Sequence, residues 1–250
     1  MRRVLGCLMV TLLVVALAPR RASAQAGPPY QTDDPDPVPY RHWELYLATQ
    51  DARIAGAWSG SAPQFEANYG ARPWLQLHVL MPIAYARPAV GPTAYGLGDV
   101  EVGVKVRFLD ETPRRPMIGT FVMTEWPAGS AASGLSTPSV HVLLPLWVEK
   151  NFGRWSTNVG GGYLVDFDRV NGNYWNTGWL VQRHVSDRAT VGVELYDMTA
   201  HGTTAASLTS NVGLVFNLTD HDQLLFSVGH SLAGQRALQG YVAYYVTGGP

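Results

Sequence analysis

The chain of 250 residues has one cysteine, Cys7, and only 15% charged residues, against roughly 25% in an ordinary soluble domain. A single cysteine excludes any intrachain disulfide framework. Lysine is almost missing: of 18 basic residues only Lys105 and Lys150 are lysines, and no basic stripe is present. Tracking a phosphate backbone requires such a stripe, so nucleic acid is not expected as a partner. After residue 24 no apolar stretch approaches the length of about 18 residues at which a spanning helix is considered, which excludes a helical membrane protein. Against these deficits stand 26 glycines, 8 tryptophans and 12 tyrosines at a mean hydropathy of −0.02. That wealth of aromatics argues against disorder.

The first segment reads as an export address. Arg2 and Arg3 form a positive start, Val4 to Leu17 is apolar, and Ala22-Ser23-Ala24 has the small-x-small pattern of a cleavage site. The apolar run is shorter than the roughly 20 residues of a membrane anchor, so residues 1–24 are expected to be a signal peptide cut after Ala24. Cys7 precedes most of the apolar run and is a filler rather than a lipidation site. Cleavage removes four arginines and no acids, taking the formal net charge from −1 to −5. It also removes the only cysteine, so the exported chain depends on backbone pairing and packing. Residues 25–41 then form a Pro- and Asp-rich lead-in, and 42–250 a single domain.

In that domain the recurrent period is two. Val100, Val102, Val104, Val106 and Phe108 share one face of a strand whose other face carries Glu101, Lys105 and Arg107. Leu75, Leu77, Val79, Met81, Ile83 and Tyr85 likewise oppose Gln76 and His78. Val140, Val142, Leu144, Leu146 and Val148 oppose His141 and Glu149, and Val191, Val193 and Leu195 oppose Glu194. Twelve such runs occur: 42–50, 62–70, 74–87, 98–109, 116–126, 138–150, 154–166, 174–184, 189–198, 207–218, 223–231 and 237–247. Odd-numbered connections are longer and rich in small residues, as in DARIAGAWSGS and LAGQRA, whereas even-numbered ones such as GARP and NFGR are tight. This alternation around an even number of strands predicts an all-β fold, a closed antiparallel up-and-down transmembrane β-barrel of about twelve strands, with both termini on the periplasmic side.

Closure is a physical requirement if the apolar faces meet lipid, because no water satisfies an open edge there. Trp43, Trp74, Tyr85, Phe108, Trp126, Trp155, Trp175 and Tyr245 lie near strand ends, where interfacial girdles are expected. A soluble sandwich or lipocalin-like barrel also alternates, with its apolar face turned inward. Twelve long strands and so little charge fit that alternative poorly.

Residues 27–50, GPPYQTDDPDPVPYRHWELYLATQ, are the most individual stretch, with TDDP leading into HWE. Together with APQFEANYGARPWLQLHVLMPIAY (62–85), YGLGDVEVGVKVRF (95–108) and LPLWVEKNFGRWSTNVGGGY (144–163), they resemble a family of outer-membrane barrels labelled "meta-pathway of phenol degradation", often called transporters. The resemblance covers most of the chain after residue 24. It implies an outer-membrane location, with passage of small compounds, aromatic ones among them.

The side chains expected to line the lumen are Glu44, Glu66, Gln76, His78, Glu101, Lys105, Arg107, His141 and Glu194. As a pore lining, their acid excess biases passage toward cations. The alternative is that Lys105 and Arg107 pair with nearby acids and fill a narrow barrel, since twelve strands fall between filled eight-stranded barrels and water-holding porins. Asp33, Asp34 and Asp36 are a candidate cation loop, short of the six to eight oxygens calcium takes. Pro35, Pro37 and Pro39 instead suggest a rigid extended lead-in. No catalytic residue is expected. His230 and Ser231 are adjacent and point to opposite faces, and His201 with Thr203 lacks an acid or amide partner. The histidines show no metal-binding spacing, and Gly160 to Gly162 sit inside a strand rather than in a phosphate loop, so no cofactor is expected. The partners expected are outer-membrane lipid, the barrel-assembly machinery and a small-molecule solute. The rival readings are a structural or partner-binding barrel without transport and a soluble periplasmic barrel with a ligand inside.

Overall fold

The computed structural model describes residues 27–167, 172–200 and 205–250, so the cleavage site after Ala24 lies outside the described residues. Thirteen antiparallel strands follow one another: β1 (Trp43–Ile54), β2 (Ala57–Arg72), β3 (Leu75–Arg87), β4 (Ala94–Leu97), β5 (Val100–Leu109), β6 (Met117–Trp126), β7 (His141–Phe152), β8 (Trp155–Asp166), β9 (Tyr174–His184), β10 (Ala189–Met198), β11 (Ser207–Asn217), β12 (Asp222–Gly234) and β13 (Ala237–Gly248). Each of the long strands pairs with its neighbours in sequence, and β1 pairs with β13 from Trp43↔Gly248 to Ile54↔Ala237, which closes the sheet.

Twelve strands make the wall, and β4 is an outlying piece of the fourth. β3 pairs with β5 over Leu75–Leu80 and with β4 over Ile83–Ala86. The break between the two pieces has a local cause. Pro82 has no N–H to donate, Gly98 N–H bonds the Pro82 carbonyl (3.0 Å), and Gly98-Asp99 bulges out of register. Asp99 then turns to the 127–140 connection, accepting from Thr137 N–H and Thr137 Oγ1, both at 2.8 Å.

The two faces separate as the period predicts. Leu45, Leu47, Leu77, Val79, Val102, Val104, Leu144, Leu146, Val193 and Val228 all face outward and are exposed, while Gln64, Glu66, Asn68, Gln76, His78, Lys105, Asn158, Gln182, Glu194 and Asn211 are buried inside. An apolar surface around the whole wall is that of a membrane barrel, and the soluble reading with its apolar face inward is overturned. Trp43, Trp74, Phe108 and Trp155 stand exposed toward the end that carries the termini, with Trp126 and Trp175 toward the other. Tyr245 does not join them. It points inward, 3% exposed, against Tyr46 (4.6 Å between ring centroids), and the odd–even alternation puts Tyr244 on the outside instead.

Two of the connections read as long loops are tight hairpins. DARIAGAWSGS is the top of β1, a two-residue turn and the start of β2; LAGQRA contains the end of β12, Gln235-Arg236 and the start of β13. Their Gly, Ala and Ser residues extend the strands rather than interrupting them. At the first hairpin Ala55 (φ 51°) and Gly56 (φ 87°) both adopt the left-handed backbone of a two-residue hairpin turn, and the Arg53 guanidinium lies over Trp58. At the opposite end the 110–116 turn is pinned by Glu111, which accepts from Lys150 Nζ (2.6 Å), Asn151 N–H (3.0 Å) and Asn151 Nδ2 (2.7 Å). Partial burial alone pushes the Glu111 carboxyl up, but these bonds outweigh it and hold the group below the usual carboxylate range.

The hairpin tip yields a stability test. Gly56→Val is expected to cost about 1–2 kcal/mol or more, the penalty a Cβ pays in the left-handed region, and Ala55→Asn to gain up to about 1 kcal/mol. Urea unfolding of detergent-folded protein, followed by heat-modifiable gel migration, reads both. Identical midpoints for the two variants and the parent would show that this turn is not formed.

Candidate functional site: a lumen filled by the N-terminal segment

Residues 27–42 do not lead up to β1 from outside. They run within the barrel, and the side chains proposed to line a pore are largely their anchors. Arg41 N–H bonds the Gly70 carbonyl (2.7 Å) and Gly70 N–H bonds the His42 carbonyl (3.0 Å), which ties the segment to β2 at the terminal end. Farther in, Val38 N–H donates to Gln76 Oε1 (2.9 Å). Arg107 binds Asp36, and also Asp110 (2.9 Å) and the Pro73 carbonyl (2.8 Å). Lys105 Nζ sits between Asp33 Oδ1 (2.9 Å) and Asp34 Oδ1 (3.0 Å), with its ammonium 5.1 Å from the centroid of the Phe121 ring. The segment then reaches the far wall, where Glu194 Oε1 accepts the backbone N–H groups of both Gln31 (2.9 Å) and Thr32. Ser227 Oγ donates to the Pro29 carbonyl (2.7 Å), and Gln31 Nε2 donates to Gln239 Oε1 (3.2 Å).

The chemistry of this plug follows from its sequence. Prolines at 28, 29, 35, 37 and 39 keep it extended and remove N–H groups that would otherwise need partners inside the barrel. Its three aspartates are answered by protein cations, so the candidate cation loop is a set of ion pairs with Lys105 and Arg107. The only large apolar side chain deep in the plug, Tyr30, packs on Leu180. It also lies against Gly192 and Gly213, where an added Cβ would come within 2.4 and 2.6 Å of its ring or hydroxyl. These two glycines are the space that admits Tyr30.

The remaining proposed lining residues form a hydrogen-bonded path along the β2, β3 and β5 wall. Gln76 Nε2 donates to Asn68 Oδ1 (3.0 Å), which lies 2.7 Å from His78 Nδ1; His78 Nε2 lies 2.7 Å from Glu101 Oε1. Glu66 accepts from Asn68 Nδ2 (2.9 Å) and stands 3.6 Å from His78 Nδ1. Glu44, half-buried near the termini, accepts from Tyr46 Oη (3.3 Å). His141 lies at the loop-bearing end, 3.3 Å from both Glu125 Oε2 and Asp166 Oδ1.

Beyond the plug toward that end lies a cavity of about 160 Å³. Its lining is mixed: Met123, Leu143, Leu164, Tyr174 and Tyr196 are apolar or aromatic, and Glu101, Glu125, His141 and Asn176 are polar. It begins one inward-facing position past the plug contacts: Asn176 follows Gly178 on β9, and Tyr196 follows Glu194 on β10.

Several of these residues were not singled out by sequence. Asn68 lacked any motif, and Tyr30 and Thr32 lay in the stretch that carries the family resemblance without a role of their own. Trp147, Leu143 and Leu164 carried a signal that went unused: they are apolar residues on the polar face of their strands. Trp147 is 1% exposed inside the wall, and Gly160 on the next strand leaves room for its ring. Gly160 therefore accommodates a wall residue and not the plug.

Lys105 ties the plug through two of its aspartates at once. Removing one partner of a buried ion pair typically costs about 3–5 kcal/mol, so Lys105→Met should loosen residues 29–38 while leaving the twelve-stranded wall intact. Thr32→Cys, fully buried in the parent, is expected to react with a bulky maleimide many times faster in the Lys105→Met background. Equal labelling rates would show that the plug does not depend on this pair.

No family model matches the chain, and no curated protein does. Among solved structures it is similar to an outer membrane channel from Pseudomonas putida F1, at 15% identity and a TM-score of 0.73, over 88% of this chain and 100% of that one. It is also similar to the KdgM porin (12% identity, TM-score 0.57, 80% of this chain and 98% of that one) and the NanC porin (8%, 0.57, 81% and 98%). At these identities the likeness establishes the fold: that of outer-membrane channel barrels.

Proposed function

We propose that this chain is a passive channel of the bacterial outer membrane for small molecules. Its export would use residues 1–24 as a signal peptide cut after Ala24, the lead-in 25–41 would become the plug, and 42–250 would be inserted by the barrel-assembly machinery. The supporting observation is the construction of the lumen. Polar side chains line much of it, and what fills it is a segment held by ion pairs and single hydrogen bonds rather than by strand pairing, with a cavity between it and the loop-bearing end. A purely structural barrel is more simply filled by its own wall side chains, as eight-stranded barrels are. The solved structures named above are channels and porins, and among the described residues nothing in the lumen assembles a nucleophile, base and oxyanion donor, so an enzyme is not proposed. Assignment to the barrels labelled for phenol degradation belongs to the same proposal and rests on residues 27–50 and the stretches that follow them.

The filled lumen favours one other reading, a structural or partner-binding barrel that never conducts. A planar bilayer separates the two. The parent is expected to show small, discrete conductance steps, and a Lys105→Met, Arg107→Gln double variant steps several-fold larger. In that variant Glu101→Gln should weaken preference for cations, since Glu101 lines the cavity. Glu194→Gln is expected to act through the plug instead, because Glu194 is fully buried against the Gln31 and Thr32 backbone. Silence from the parent and the double variant alike would overturn the channel and favour the structural barrel.

A further inference from the structure

We infer that the cavity beyond the plug is a binding site for a small monocyclic organic cation, an ammonium group carried on a single ring. The inference rests on the channel reading only if the ligand is also the solute that crosses; the site itself does not.

The lining of the cavity carries no lysine or arginine. Its charged groups are the Glu101 and Glu125 carboxylates, and Asp166 stands behind His141. His78 faces Glu101 and His141 bridges Glu125 and Asp166, so three carboxylates meet two imidazoles and acidic groups outnumber basic ones. An anion is therefore repelled. A bare metal ion is equally ill served, because among the described residues no three acidic, His or Cys side chains converge as ligands. The apolar and aromatic part of the lining explains what sort of cation fits. Met123, Leu143 and Leu164 supply a hydrocarbon wall, and Tyr174 and Tyr196 supply ring faces that attract a desolvated cation and stack on an aromatic body. About 160 Å³ is close to the cavity size known to hold one benzene ring. Asn176 adds a neutral carboxamide that accepts from an ammonium N–H.

These walls come from the six consecutive strands β5 to β10, so the site needs their sheet to be assembled. Met123 and Leu143 are direct cross-strand partners, as are Glu125 and His141 one step farther along the same pair. The apolar wall and the acidic rim are thus consecutive inward positions on two adjacent strands.

The test uses the full chain in detergent and isothermal titration with benzylamine, benzyl alcohol and benzoate, which share a ring and differ in charge. Benzylammonium should bind saturably at one per chain, at least about tenfold more tightly than benzyl alcohol, with no detectable binding of benzoate. Glu125→Gln should erase most of that preference, and heat-modifiable migration confirms that the variant is folded. Equal affinity for benzylamine and benzyl alcohol in the parent overturns the inference, and this comparison needs no variant. Displacement by equimolar potassium overturns it too, by showing that the ring is not read. Swelling of protein-loaded liposomes in the same amines tells this failure from that of the channel: binding without flux removes transport and leaves the site, whereas flux without amine preference removes the site and leaves the channel.

Discussion

The β1–β13 seam turns a sheet with two raw edges into a wall with none, and the interior depends on it. Once the wall is closed, most backbone N–H and C=O groups of the strands have partners in the wall, and the outer face can be hydrocarbon. The inner face is left with polar side chains that must find partners within a narrow space. The chain meets that demand with its own first described residues. Lys105 and Arg107 would be costly as bare cations in a closed lumen, and Asp33, Asp34 and Asp36 would be equally costly alone. Brought together they neutralise one another, and the segment that carries the aspartates occupies the bore.

The wall was legible because its signal is strictly local. A period of two with apolar residues on one face fixes which side chains point outward, and nearly every strand falls where that pattern places it. The first and last hairpins were read too short because small residues in AGAWSGS and LAGQ look like loop. Glycine and serine there extend the ladder past the apolar belt, where a strand no longer needs hydrocarbon. Tyr245 was misplaced for a related reason: nearness to a strand end says nothing about the face, and only its parity with Tyr241 and Ala243 does.

The filling of the barrel was not legible. Nothing in TDDPDP says where those aspartates go, because their partners lie about 70 residues away and their approach depends on the three-dimensional closure of the wall. The possibility that Lys105 and Arg107 pair with acids to fill a narrow barrel was the right physics, but the acids come from the lead-in and not from neighbouring strands. The same holds for the path from Gln76 through Asn68 and His78 to Glu101. Each member is an ordinary inward polar residue, and only register puts them side by side, so that the plug at Val38 and the cavity at Glu101 are the two ends of one hydrogen-bonded row.

The placement of the plug also constrains the order of assembly. Gln31 bonds Gln239, 208 positions along the chain, and Pro29 is bonded by Ser227. The residues that leave the ribosome among the first must therefore wait, unpaired, for strands made near the end. A finished cylinder offers a thread of prolines no easy entrance, so the segment has to lie across the sheet while it is still open and be enclosed as β1 meets β13. The wall is in that sense rolled around its contents, as a letter is sealed with the enclosure already inside.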